Sequence, residues 1–250
     1  MRSTNPALRP VLDEAGASTY SPSGISEASA SYRGVGLKAA VVLAVAVLSA
    51  AALWPVLAAS PGLLLPLSLA AMVGAVVCVV VAHKAPRVAP AMALLFGAVE
   101  GVFLSGITLF TAQQFGSGIV VQAVLITAFV FVVMLTLYSS GLLKVTRRFR
   151  NAIFAATLGV ALFYGAALLG AAFGFQMPLI WSDSPLGIAF TAAMCVLAAL
   201  GLAVDFDDAA AIVEMRAPAS AEWGVAIGLV SSIVWLYIEI LRLLSKLQSR

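Results

Sequence analysis

Seven runs of about twenty apolar residues, laid almost end to end, constrain this chain more than any other feature. A run of that length matches the roughly 30 Å of hydrocarbon that a membrane-spanning helix crosses. Only a helix or a closed barrel satisfies every backbone N–H and C=O away from water. The runs cover 36–58, 62–82, 90–110, 119–138, 152–173, 185–204 and 225–244. With 62% of residues hydrophobic and only 10% charged, a water-soluble globular domain is excluded. The expectation is an all-α, polytopic membrane protein, a bundle of seven transmembrane helices.

Residues 1–32 are rich in Ser, Ala, Pro and Gly without helical periodicity, and read as a disordered cytoplasmic tail ahead of a membrane domain over 33–250. The first apolar run begins too late, and is too long, for a cleaved signal peptide, so it reads as a retained span. Lys and Arg set the orientation. Arg2, Arg9, Arg33 and Lys38 precede or open the first run, Lys84 and Arg87 follow the second, Lys144, Arg147, Arg148 and Arg150 follow the fourth, and Arg216 follows the sixth. The intervening connections carry neither Lys nor Arg, which places the N-terminus in the cytoplasm of a cell whose plasma (inner) membrane the chain crosses repeatedly. Seven crossings put the C-terminus outside, yet Arg242, Lys246 and Arg250 argue for the inside. Two readings are therefore open: a re-entrant seventh run, or a basic tail tolerated outside.

The net charge of +3 resides at helix ends, where anionic lipid head groups account for it without nucleic acid. Trp54, Trp181 and Trp223 fall near run ends and suit the interface. Cys78 and Cys195 lie within runs and read as packing residues. The single histidine, His83, stands beside Lys84 and no serine-nucleophile, zinc or phosphate-loop motif is visible, so neither an enzyme nor a cofactor is expected.

The acids demand a reason, because a carboxylate in hydrocarbon costs about 3 kcal/mol on insertion scales unless it is neutralised, paired or hydrated. Glu100 falls midway along the third run beside a stripe of small and polar residues, Gly97, Gly101, Ser105 and Thr108. It reads equally as the lining of a polar cavity or as a buried, protonated group bonded to a neighbouring helix. Glu239 lies in "VWLYIEILRLL"; its plainer reading is a local pair with Arg242, its functional one an inward carboxylate. Asp205, Asp207 and Asp208 follow the sixth run. Solvated flanking charges are the plain account, but "AAAIVE" continues in helical character, so the helix can extend and bury some of them. Carboxylates held close share a proton when neutral and separate, or take a hard cation, when ionised.

"LPLSL" in the second run, "FLSGITLF" in the third, "VDFD" at the end of the sixth and "WLYIEILRLL" in the seventh resemble the transmembrane Bax inhibitor motif family, in its bacterial branch. The resemblance covers about 36–247. It implies a bundle with the seventh helix central and a pH-sensitive passive leak for cations, with calcium as the transported ion. It also implies an acidic pair between the sixth and seventh helices, at Asp207 and Glu239 with Asp205 and Asp208 beside them. That pair would be both gate and weak calcium site, and Glu100, Ser105 and Thr108 would line the ion path. Two departures stand out. Ala71 occupies a second-helix position where some relatives carry Glu, and the seventh-helix acid is Glu rather than Asp. Two further classes fit the residues. One is a proton-coupled secondary transporter, which usually shows repeated halves and broken helices; the other is a non-transporting regulator that docks a membrane-protein partner.

Overall fold

The computed structural model describes residues 28–172, 174 and 182–249. Trp181 and the last residue of the fifth run, Phe173, lie outside the described residues, as does most of the segment read as a tail.

Seven helices among the described residues are long and apolar enough to cross a membrane. They are α1 (Tyr32–Ala59), α2 (Leu64–Lys84), α3 (Ala89–Phe115), α4 (Gly118–Ser139), α5 (Arg147–Ala172), α6 (Pro185–Glu214) and α7 (Ala221–Gln248). Single 3-10 turns, Pro61–Leu63 and Pro86–Val88, lead into α2 and α3. In both, proline opens the turn, where its missing N–H costs no hydrogen bond.

Apolar faces decide the arrangement. Helix α7 packs against α1, α2, α3, α4 and α6 and is the centre of the bundle. Val230, Val234, Leu236 and Leu241 are among its buried side chains. By contrast α5 leans chiefly on α6, leaving Leu158 and Leu162 outward, where lipid suits them. Between α1 and α3 the two backbones come too close for a side chain. A Cβ on Gly97 would lie 2.6 Å from the Val42 carbonyl oxygen, and one on Gly101 would stand 2.6 Å from Cβ of Ser49. Ser49 also donates from Oγ to the Ala98 carbonyl at 2.8 Å. The small residues of α3 thus let two backbones nearly touch, as membrane helices do where solvent supplies no driving force.

Helix α6 continues ten residues past the apolar run, to Glu214, so all three aspartates lie inside it. It ends where Arg216 adopts φ 50° and the Ala217 N–H returns to the Ile212 carbonyl at 2.9 Å. The following residues pair with the segment before α1: Ala30 N–H donates to Ala217 O at 2.7 Å, and Ala219 N–H to Ala28 O at 2.8 Å. Residues 28–31 of the segment read as tail are therefore placed against the α6–α7 turn. Helix α7 is one unbroken helix running antiparallel to α6 for its whole length. Positions 205 and 228, 201 and 232, and 187 and 246 face one another, the last through a Lys246 Nζ to Gly187 O bond of 3.1 Å. The seventh run is not re-entrant.

Candidate functional site

Three aspartates within four positions of a helix point in different directions, because each residue turns about 100°. Asp205 and Asp208 lie on one side of α6 and Asp207 on the other. Asp207 and Asp208 stand together at one end of the bundle, where Arg150, near the start of α5, straddles them. One guanidinium nitrogen reaches Asp207 Oδ2 at 2.5 Å, and the other donates to Asp208. The Tyr138 hydroxyl, from the end of α4, donates to Asp207 Oδ1 at 3.3 Å. This four-residue lock joins α4, α5 and α6. Its side chains remain about a third exposed.

A second group lies deeper. A cavity of about 910 Å³ opens between α2 and α5, backed by α3, α6 and α7. Glu100 and Asp205 both line it, as do Ser232, Trp235 and, at its end nearest the lock, Arg150 and Asp208. Glu100 is eleven residues from the start of α3 and Asp205 nine from the end of α6, so both stand about 15 Å from the same end of the bundle at about 1.5 Å per residue. The Ser232 hydroxyl neighbours Asp205, whose Oδ2 has no hydrogen-bond partner and is closed off from solvent. Glu100 likewise has no hydrogen bond or ion pair among the described residues.

Asp207 and Glu239, joined by the resemblance, do not meet. The α6–α7 register sets Asp207 level with Ala226, thirteen residues from Glu239, or about 20 Å along the helix. A calcium site of those two carboxylates is accordingly not assembled. Among the described residues no group of three or more His, Cys, Asp or Glu stands close enough to hold a metal. Glu239 is 1% exposed and has its own partners near the opposite end of the bundle. Arg242 bonds it at 3.2 Å, the Tyr164 hydroxyl at 3.1 Å and Trp235 Nε1 at 3.2 Å. Arg242 also donates to the Tyr164 oxygen at 2.6 Å and lies over that ring. The local pair foreseen for Glu239 is thus present, but sealed inside the bundle rather than laid on its surface.

The proposed ion path divides as well. Glu100 precedes Gly101 by one residue and so points about 100° away from the small-residue stripe. Ser105 and Thr108, on the stripe, line a different space of about 740 Å³ among α1, α3, α4 and α7. There Thr108 Oγ1 and the Tyr237 hydroxyl share a hydrogen bond of 3.0 Å, while Ser105 Oγ has none.

One polar cluster escaped sequence reasoning. Glu222, in the first turn of α7 and 3% exposed, accepts from Lys38 Nζ at 2.6 Å, Ser31 N at 2.7 Å and Ser31 Oγ at 3.3 Å. Lys38 also donates to Ala219 O at 2.6 Å and lies 5.2 Å from the centroid of the Trp223 ring. An acid six places after Arg216, outside the apolar run, carries no signal; only the fold brings Ser31 and Lys38 to it. In the sequence Arg150 reads as a topogenic charge, and its spacing from the other basic residues of "KVTRRFR" gives no hint of an acidic partner.

Residues 5–249 match a protein family described as Bax inhibitor 1 like. The chain belongs to that family. No curated protein and no solved structure matches it. As a Bax inhibitor 1 like protein it is a multi-pass membrane protein with seven apolar helices, and lipid is its surroundings. Within this Bax inhibitor 1 like fold, the lock and the acid-lined cavity share α5 and α6, so movement of either helix alters both.

Proposed function

We propose that the protein is a passive, pH-sensitive cation channel of the plasma membrane, with calcium as the carried ion and its N-terminus in the cytoplasm. It performs no catalysis. The observation that supports this reading is the cavity that holds the Glu100 and Asp205 carboxylates at one level, about 15 Å from one end of the bundle, where the neighbouring cation, Arg150, is engaged by Asp207 and Asp208. Carboxylate oxygens favour a hard divalent ion. An inward acid retained against the cost of hydrocarbon marks an ion or proton route by its chemistry.

In this reading the gate is the Arg150 lock rather than a proton shared by Asp207 and Glu239. Arg150 holds the start of α5 against the end of α6 and closes the cavity toward the cytoplasm. When the lock opens, the start of α5 is free to swing away, while Tyr164 further along it still bonds Glu239 and Arg242 of α7. Flux runs downhill. The test is calcium-dye influx into liposomes containing the purified full chain. Leak above protein-free liposomes is expected for the wild type, falling to that background for Glu100→Gln combined with Asp205→Asn. Equal leak from the two proteins overturns the reading.

A further inference from the structure

The cavity behind Glu100 is built for more than a small ion. A divalent cation with six to eight water or carboxylate oxygens around it occupies about 180–240 Å³ at about 30 Å³ per water. The cavity is several times larger, within the range of sites for whole small molecules. Its walls are chiefly hydrocarbon. Met72 and Val76 from α2, Phe103 from α3, Phe154 from α5 and Ile238 from α7 face it, with the Trp235 ring alongside. Such walls do not solvate an ion, but they do cover an apolar body. Among the described residues Glu100 has no hydrogen-bond or ion-pair partner, and at the same depth Asp205, beside the Ser232 hydroxyl, keeps Oδ2 as a buried acceptor lacking any donor. The neighbouring positive group, Arg150, is already engaged by Asp207 and Asp208. The opening lies between α2 and α5, which make little contact, so a molecule dissolved in the bilayer reaches the cavity from the side.

We infer that this cavity is a binding site for amphiphilic organic cations, a positively charged nitrogen or phosphorus centre on an apolar body. The cationic centre sits between Glu100 and Asp205, and the hydrocarbon fills the space between α2 and α5. The charge supplies the partner that Glu100 and Asp205 Oδ2 lack among the described residues. An aromatic face, Trp235, adds the attraction of a ring for a poorly hydrated cation. The inference deepens the channel reading and rests on the same cavity: an occupant there blocks the route that calcium would take.

Radiolabelled tetraphenylphosphonium is the probe, applied to the full-length protein in nanodiscs, with protein-free nanodiscs subtracted for partition into lipid. Saturable binding of one probe per chain is expected, weakened at least tenfold by Glu100→Gln. Met72→Trp, at an exposed position of α2 that leaves both acids in place, is expected to abolish it by filling the space. Tetramethylammonium, which has the charge without the apolar body, is expected to compete poorly. Binding that survives both substitutions, no saturable binding, or equal competition by tetramethylammonium each overturns the site. Calcium leak measured on the same preparations separates the two ideas. Leak without probe binding removes the organic-cation site and leaves the channel; probe binding without leak keeps the site and removes the channel.

Discussion

Arg150 holds two carboxylates at once, so removing its charge opens both contacts together. Because these side chains are about a third exposed, the contacts are worth only about 1–2 kcal/mol together, a five- to thirty-fold change in a two-state balance. Arg150→Gln is expected to leak several-fold faster than the wild type. Liposome influx of the two proteins checks this, and equal leak would detach the lock from gating. Glu222 presents a different case. Its carboxylate is buried against Lys38 and the Ser31 N–H, so Glu222→Ala leaves Lys38 and a backbone donor without their acceptor. Removing one member of such a pair costs about 3 kcal/mol. A marked fall in melting temperature is expected in detergent, whatever the effect on leak.

Among elements, the α1–α3 contact is sensitive to side-chain volume. Gly97→Leu puts atoms where the Val42 carbonyl already stands, and forcing the helices apart costs about 1–3 kcal/mol. Gly159→Leu, on α5, meets open space within 4 Å and is expected to change stability by no more than about 0.5 kcal/mol. Thermal unfolding of the two variants side by side checks the contrast. The seven spans were legible because hydrocarbon imposes one length and one composition on every helix that crosses it. Where α6 stops was not, since Asp205, Asp207 and Asp208 read as an exit from the membrane until Asp205 is seen against α7 and the other two against Arg150. The depth of Glu100 and the packing use of Gly97 and Gly101 could be read from the third run. Which neighbour each face meets could not, because residues a hundred positions apart in sequence have no pattern linking them. Asp207 and Glu239 show the same limit: a motif on each helix says nothing of the register between helices, which the short α6–α7 turn decides.

For the whole molecule, the register of α6 and α7 gives two of the basic residues near the C-terminus partners inside the bundle. Arg242 is committed to Glu239 and Tyr164, and Lys246, 4% exposed, to the Gly187 carbonyl at the start of α6. These two charges are therefore part of the bundle. The paired segment 28–31 and the α6–α7 turn share one end of the molecule with Lys84, Arg87, Lys144 and Arg147, while Gln248 ends α7 at the other. Single cysteines in a Cys78→Ala, Cys195→Ala background check the arrangement, since Ser29 and Ser249 are both exposed. Ser249→Cys is expected to react with a membrane-impermeant maleimide added to intact cells, and Ser29→Cys only after the cells are opened. Labelling of both from the same side would require α7 to turn back within the bilayer, which an unbroken helix of 28 residues, about 42 Å at about 1.5 Å per residue, does not do.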